Sequence, residues 1–488
     1  MIDTAALKNS ILDLAFQGKL TSQDSSDGSA EDLYNEICDE KSELIKLGKI
    51  KKNKIIPIKD EDIPYSIPDN WKWIRWGDLS EKIQYGYNAP AKSEGRIKMV
   101  RISDIQDNTV LWDTVPYCEI EEEQIADYLL RGNDILFART GGTVGKSYIV
   151  SDIPEDAVFA GYLIRTSYSN KLCSRYMKFF MESKLYWKQL RNGTIATAQP
   201  NCNGQTLSKM MVPLPPFTEQ LRIVETVEKA FEQIDEIDVL QVQYSSNLEV
   251  LKSKIIDAGI QGKLTEQLPE DGTAEELLKQ ITEEKKALED AGVYKNKKKV
   301  TIKNAILKDD IFEIPKTWKW VRLGQLADVY GRIGFRGYTK ADLVEAGQGA
   351  ISMSPSNITF SGKVVFENNT YITWEKYNES PEIKVREGDV LIVKTGSSYG
   401  KTAIIEEMPE KCTINPQLAI LKNILCDRYY LNLYMKSSHA WNQYNSFVVG
   451  AATPTFSQEK LANMLIPLPP LNEQARIVSK INEILELF

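Results

Sequence analysis

Two kinds of hydrophobic pattern alternate along the chain, and the alternation happens twice. Residues 219 to 261 carry apolar side chains at 221, 224, 227, 231, 234, 237, 240, 244, 248, 251, 255 and 258. Steps of threes and fours predict one long helix with a heptad seam. Thr218, after Pro215-Pro216, is its expected N-cap, Glu219 lies in its first turn, and Gly262 suits the position just past its end. At 1.5 Å per residue such a helix spans roughly 65 Å. Shorter pieces of the same pattern lie at both ends of the chain. Residues 3 to 17 offer Leu7, Ile11 and Leu14; residues 473 to 488 offer Ile477, Ile481, Ile484 and Leu485 behind an Asn472 cap.

A shorter amphipathic helix comes after the first helix and after the central one. Ser29-Ala30-Glu31-Asp32 and Thr273-Ala274-Glu275-Glu276 have the form of capping boxes. Leu33, Ile37 and Leu44, or Leu277, Ile281 and Leu288, make the apolar stripe, and Gly48 and Gly292 close the helices. Lysine runs come next: Lys49, Lys51, Lys52 and Lys54, then Lys295, Lys297, Lys298 and Lys299. They are expected to be solvated linkers, with phosphate or an acidic partner as the sharper alternative. Two segments of strand-like alternation with Gly, Asn and Pro punctuation separate these helical parts. Ile135–Arg139 and Val390–Lys394 are expected strands; 176 to 190 and 429 to 444 are expected amphipathic helices. The fold class is therefore α+β: two globular α+β domains joined and spaced by long antiparallel coiled-coil helices. The expected division is half of a spacer helix pair at 1–21, a capped helix and linker at 22–64, a first globular domain at 65–216, the central helix at 217–265, a second capped helix and linker at 266–311, a second globular domain at 312–470, and a terminal spacer helix at 471–488.

Self-comparison explains the alternation. Gln17-Gly18-Lys19-Leu20-Thr21 recurs at 261–265, and Trp71-Lys72-Trp73 recurs at 318–320. Gly132-Asn133-Asp134-Ile135-Leu136 answers Gly388-Asp389-Val390-Leu391. Val212-Pro213-Leu214-Pro215-Pro216 answers Ile466-Pro467-Leu468-Pro469-Pro470, and both lead into Glu-Gln-x-Arg-Ile-Val at 219–224 and 473–478. The offsets stay between 244 and 255, so these are two long homologous halves. Phe488 aligns with Ile234 and Met1 aligns near Ser245, as if the terminal helices were the central helix cut in two. A cyclic, two-fold pseudosymmetric object with both chain ends at one pole is expected.

Composition narrows the chemistry. The 488 residues contain one histidine, His439, and six cysteines with no CxxC among them. A lone histidine argues against Ser-His-Asp or Cys-His catalysis and multi-histidine metal sites, and a reducing cytoplasm is expected. The first twenty residues interleave Lys8, Asp13 and Lys19 with apolar positions, unlike a signal peptide. The net charge of −8 first argues against nucleic acid. By segment it does not: 65–218 is +1, 312–472 is +2, and the helical remainder is −11. Residues 158 to 211 carry Arg165, Lys171, Arg175, Lys178, Lys184, Lys188, Arg191 and Lys209 against Glu182 alone, interleaved with aromatics. Such a mixture suits phosphates and bases, and equally a solvated helix face over an aromatic core.

Gly141-Gly142-Thr143-Val144-Gly145-Lys146-Ser147, echoed at 396–402, resembles a phosphate loop with one residue too few between glycine and Gly-Lys. That leaves an NTPase as a remote alternative. The other readings are a turn holding Lys146 and Lys401 near a DNA phosphate, or a structural turn. No [Asp/Asn/Ser]-Pro-Pro-[Tyr/Phe] amino-methyltransferase tetrapeptide occurs.

With these motifs in place, the chain resembles the specificity subunit of type I restriction-modification systems. The carriers are Pro-Leu-Pro-Pro-x-x-Glu-Gln-x-Arg-Ile-Val opening a long helix, Gln-Gly-Lys-Leu ending it, Ile-Pro-x-x-Trp-Lys-Trp opening each globular domain, and Gly-Asp-x-Leu with Gly-x-x-x-Gly-Lys inside it. The resemblance implies that 65–216 and 312–470 are target-recognition domains, each reading half of a split DNA sequence. It implies that the helices are spacers docking two modification subunits, with restriction/translocase subunits as further partners. No catalysis or cofactor is then expected in this chain; S-adenosylmethionine, ATP and Mg would serve the partner subunits in a prokaryotic cytoplasm. Two half-sites on one duplex face call for domain centres about 34–36 Å apart. The domains have diverged between their landmarks, so an asymmetric target is expected. The candidate DNA-contacting residues are Arg139, Lys146, Lys394 and Lys401 beside the glycine loops, Arg165, Arg175, Lys188 and Arg191 from the basic stretch, and Gln199, Asn201 and Asn203 in a polar loop. A duplicated protein-binding scaffold without DNA is the competing reading.

Overall fold

The computed structural model describes residues 1–488 except 52–56, 107, 152, 194–200, 292–311, 333–336 and 451. The chain divides into two compact units, Met1–Val242 and Gln243–Phe488. The central helix is one element, Phe217–Ile260, and contributes its first part to one unit and its second part to the other.

In the first unit the N-terminal helix Thr4–Phe16 runs antiparallel to the first part of the central helix. Lys8 Nζ meets Asp235 Oδ1 at 2.5 Å, and Thr4 Oγ1 donates to Asp238 Oδ1 at 2.7 Å. Leu12, Ala15 and Phe16 are buried, with the Phe16 ring 5.2 Å from Tyr176 and 5.5 Å from Phe180. In the second unit the C-terminal helix Leu471–Leu485 packs on the second part of the central helix. Ile481 comes so near Gly259 that a Cβ there would sit 2.5 Å from its Cδ1. The seam is not buried along its whole length, however. Val224, Val227 and Ile234 are covered, whereas Leu240, Tyr244 and Leu251 are exposed. Partners of 13 and 15 residues are too short to cover 44. The expected caps also shift: the central helix starts at Phe217, and the C-terminal helix starts after Pro470.

Each unit holds one globular domain built the same way. The ribbon Lys72–Arg75 with Met211–Leu214 ties the domain's two ends together, placing Trp73 opposite Pro213. A four-stranded antiparallel sheet is ordered Ser80–Tyr85, Leu163–Tyr168, Ile135–Ala138, Ser147–Ile149. A smaller sheet has Ile97–Val100 at its centre, antiparallel to Tyr117–Cys118 and parallel to Ala157–Phe159. The second unit repeats this with the ribbon Lys319–Arg322/Leu465–Leu468 and the sheet Asp328–Gly331, Leu418–Lys422, Val390–Val393, Thr402–Ile404. Its smaller sheet has an added strand, Leu343–Val344, beyond Tyr371–Thr373.

The capping boxes form: Asp32 N donates to Ser29 Oγ at 3.1 Å, and Glu276 N to Thr273 Oγ1 at 3.3 Å. Each long amphipathic stretch, by contrast, is two helices. Ser174–Phe180 gives way to Lys184–Gly193, and Arg428–Lys436 to Ser438–Phe447. Serine makes both breaks, Ser183 accepting from Tyr186 N and Ser437 from Ala440 N. A side-chain acceptor at that point competes with the helical ladder and starts a new helix. Gly292 and most of both lysine runs (Lys52, Lys54, Lys295, Lys297, Lys298, Lys299) lie outside the described residues.

Candidate nucleic-acid interface

The duplicated motifs meet around one glutamate in each unit. Buried Glu219 accepts from the Trp71 indole at 2.8 Å, from Gln23 Nε2 at 2.6 Å and from Thr21 Oγ1 at 3.2 Å. Glu473 accepts from Trp318, Gln267 and Thr265 in the same way, at 2.8, 2.7 and 3.0 Å. The neighbouring Gln220 takes Cys173 N and returns its amide to Pro215 O; Gln474 does the same with Asp427 N and Pro469 O. Arg222 forks onto Asp27, and Arg476 onto Asp271. Glu-Gln-x-Arg is thus the joint that fixes a globular domain on its helices. His439 belongs to the same region of the second unit, its ring 4.1 Å from Phe312 and its Nε2 2.8 Å from Gln261 Nε2. Burial lowers its pKa, with Lys263 adding to that effect and Asp257 opposing it.

Three of the eight basic residues of the first domain's basic stretch turn toward this scaffold. Lys171 pairs with Glu36 at 2.6 Å, Lys184 with Asp13 at 2.7 Å, and Arg175 with Glu228 of the central helix. Lys178 is satisfied by Glu182. Part of the acidic surplus of the helices and part of the basic surplus of 158–211 therefore neutralise each other within the chain. Arg175, an expected DNA contact, is ion-paired to the central helix while most of its side chain stays in solvent.

Arg165, also an expected DNA contact, lies inside the domain instead of on its surface. It is 7 % exposed and bonds Leu129 O, Asp127 O, Gln84 Oε1 and the Asp134 carboxylate. Burial raises the pKa of Asp134 and lowers that of Arg165, so desolvation outweighs the attraction between them. The second domain solves the same problem from another rung. Asp389, the counterpart of Asp134, holds Lys422, whereas the position opposite Leu391 in the register, matching Arg165, is Ile420. Burial again raises the aspartate and lowers the lysine.

The glycine loops are hairpin turns. Gly141–Thr143 is one turn of 3-10 helix leading into the strand Ser147–Ile149, where a phosphate loop would lead into a helix. Gly145 N and Lys146 N are spent on Ala138 O and Thr143 O, so they are not offered to a phosphate. Gly145 has φ +97°, and a Cβ there would lie 2.3 Å from Leu190; Gly400, at φ +85°, faces Trp441 at 3.1 Å. Gly145 and Gly400 press against a helix, whereas Gly141 and Gly396 have room around them and are set by their positive φ of +79° and +106°. The NTPase reading has no structural support.

The surroundings of the loop lysine differ between the two domains. Lys146 is exposed and borders a cavity of about 540 Å³ with Gln106, Asn108, Lys178, Glu182 and Trp187. Lys401, its counterpart, donates to Ile358 O at 2.7 Å and Pro355 O at 3.3 Å and lies 4.6 Å from the Phe360 ring centre. Burial lowers the pKa of Lys401 and of half-buried Lys394. Arg139 lies over the Tyr85 ring at 4.7 Å, with Nη1 3.5 Å from Gly161 O. Lys188 and Arg191 are exposed on the helix Lys184–Gly193. Asn201 is exposed and bridges Thr140; Asn203 accepts from Thr206 N at 2.8 Å as the N-cap of the helix Gly204–Lys209. Gln199 lies outside the described residues. The first domain thus brings Arg139, Lys146 and Asn201 to neighbouring loops.

Sequence reading missed Phe360, which is 92 % exposed on a hairpin tip. Its signal was available as an aromatic set among turn formers, Asn357-Ile358-Thr359-Phe360-Ser361-Gly362. Among the described residues no cluster of three or more His, Cys, Asp or Glu could hold a metal, and no helix is long and apolar enough to cross a membrane.

A family model for the type I restriction modification DNA specificity domain matches twice, at residues 68–241 and 315–487. Among curated proteins, the type I restriction enzyme EcoAI specificity subunit of Escherichia coli is 25 % identical, over 98 % of this chain and 88 % of its own length. The EcoEI specificity subunit of the same species is 24 % identical over the same shares. Among solved structures, a chain from a study of complex assembly and conformational transition in a type I R-M system superposes with a TM-score of 0.56. It is 20 % identical and covers 87 % of this chain and 92 % of that one, a likeness of fold.

Proposed function

The chain belongs to the type I restriction modification DNA specificity family, and we propose how this specificity subunit divides its work among its parts. It is the non-catalytic subunit that gives such a system its DNA specificity, and it works with DNA and the other subunits. The domain within 65–216 reads one half of a bipartite site, and the domain within 312–470 reads the other. The observation that carries this is the double match of the DNA specificity model, each match covering one globular domain and the helix after it. The half-sites differ, because the domains keep the same joint and sheet order yet present different hairpins over the glycine-loop lysine.

Two modification subunits dock on the helices, one per unit. Val239, Leu240 and Val242 in the first unit and Tyr244, Val250 and Leu251 in the second are exposed apolar residues that a partner helix would cover. Restriction/translocase subunits join through that assembly. Adenine methylation with S-adenosylmethionine, and ATP- and Mg-dependent translocation, belong to those subunits; the setting is the prokaryotic cytoplasm. The test is to map methylated adenines in host DNA with and without this chain. A split, asymmetric motif that vanishes on deletion supports the reading, and an unchanged methylation map overturns it.

A further inference from the structure

The hairpin at 354–364 combines three properties that come together nowhere else among the described residues. Its tip side chain, Phe360, is 92 % exposed. It is rigid: Thr359 N donates to Lys363 O, Lys363 N to Thr359 Oγ1, and Gly362 N to Thr359 O, all within 3.1 Å. At its base the buried Asn357 amide bonds Val365 O at 3.0 Å and Asn369 Oδ1 at 2.9 Å. And it rests on cations. Lys401 holds the carbonyls of Ile358 and Pro355, and Lys436 lies under the turn, where a Cβ on Gly362 would come 2.3 Å from its Nζ. Residues 354–364 contain one lysine, Lys363, and no acid.

A large aromatic side chain left in water is costly in a chain that works alone. An ordinary protein interface would surround it with further apolar side chains. Here its neighbours are Thr359, Ser361, exposed Lys363 and Lys401, a set without an acid that suits a polyanion. A rigid aromatic tip in such a setting suits insertion between stacked bases, where the ring replaces stacking that the duplex gives up. In the first domain the equivalent hairpin, Ile105–Gln106 with Thr109–Val110, carries Gln106 and Asn108 and no aromatic residue.

We propose that Phe360 is a wedge that inserts into the half-site read by the second domain, unstacking one base step and kinking the duplex there. This rests on the reading of the second domain as a DNA reader. The test uses the chain assembled with its modification subunits, on duplexes carrying the methylated site mapped from host DNA. 2-Aminopurine replaces each purine of both half-sites in turn, the methylated adenines excepted. The wild-type complex is expected to raise fluorescence at one step of one half-site only. Phe360→Ala should abolish that rise and bind roughly tenfold or more weakly, while Phe360→Trp retains both. Gly362→Ala, which pushes the turn off Lys436, should weaken the signal without touching the ring. Three results overturn the wedge: no unstacked step with a wild-type complex that binds and methylates normally, unchanged affinity and signal with Phe360→Ala, or loss of subunit assembly with that variant. A wild-type complex whose binding shows no salt dependence instead sinks the DNA reading itself, and the wedge with it.

Discussion

The Trp71 indole N–H lies 2.8 Å from Glu219 Oε2, and 148 residues of chain separate the two. Trp318 and Glu473 repeat the bond at the same length. Each pair joins the entry of a globular domain to the helix leaving it, so the domain is clamped at both of its chain crossings.

Removing Glu219 leaves the indole, Gln23 and Thr21 without their shared acceptor. Glu219→Ala should lower stability by about 3 kcal/mol, read as a shift in a denaturant titration. Glu473→Ala should cost a similar amount in the second unit, with the two effects adding.

The Arg165–Asp134 pair is a fold element in which desolvation dominates. Arg165→Met alone should destabilise by about 3–5 kcal/mol, because a buried carboxylate loses its counter-charge. The double variant Arg165→Met, Asp134→Leu should restore most or all of that loss. Since burial raises the Asp134 pKa, its stabilising contribution is complete below the ordinary aspartate range and is lost as pH rises through the raised value. The Arg165→Met variant should therefore gain stability relative to wild type on acidification from neutrality. A variant whose stability relative to wild type falls further in acid would contradict this.

The two glycine-loop lysines should behave differently. Lys146→Ala should leave stability unchanged, weaken binding to all duplexes alike, and lower the salt slope by about 1. Lys401→Ala should also destabilise the second domain, because Pro355 O and Ile358 O lose their donor. A shifted methylation motif after Lys146→Ala would show that this side chain reads bases.

Charge removal along the basic stretch should separate two classes. Lys188→Ala and Arg191→Ala should weaken DNA binding. Lys171→Ala, Arg175→Ala and Lys184→Ala should leave DNA affinity unchanged, since Glu36, Glu228 and Asp13 already occupy those cations. Equal losses of affinity in both groups would mean that the stretch faces DNA as a whole.

Gly18 sits at φ +66°, where a Cβ would lie 2.4 Å from Pro68 Cγ. Gly18→Ala should cost about 1–3 kcal/mol. Gly28 has φ +80° and ψ −157°, a region kept essentially for glycine, but open space around it, so Gly28→Ala should cost about 1–3 kcal/mol from strain alone. Thermal melts of the two variants compare crowding with strain alone.

Repetition and periodicity are properties of the chain in one dimension, and they sufficed for the duplication, the long helix, the capped helices, the α+β class and the family. A period of three and four specifies a helix whatever it packs against, and a motif written twice marks the same joint twice. Partnership is not written in one dimension. Eight basic groups against one acid in 158–211 looked like a surface for phosphate, yet the acids that neutralise several of them stand on Asp13, Glu36 and Glu228, far away in sequence. Arg165 could not be told from Arg191 until the sheet placed one over Asp134 and left the other in solvent. Phe360 drew no notice in the sequence, because hydrophobicity is counted along the chain while exposure depends on which strands and lysines the fold sets beneath it. Local pattern comes from interactions between near neighbours in sequence; which charges are cancelled and which rings are left in water depends on contacts that only the folded chain brings together.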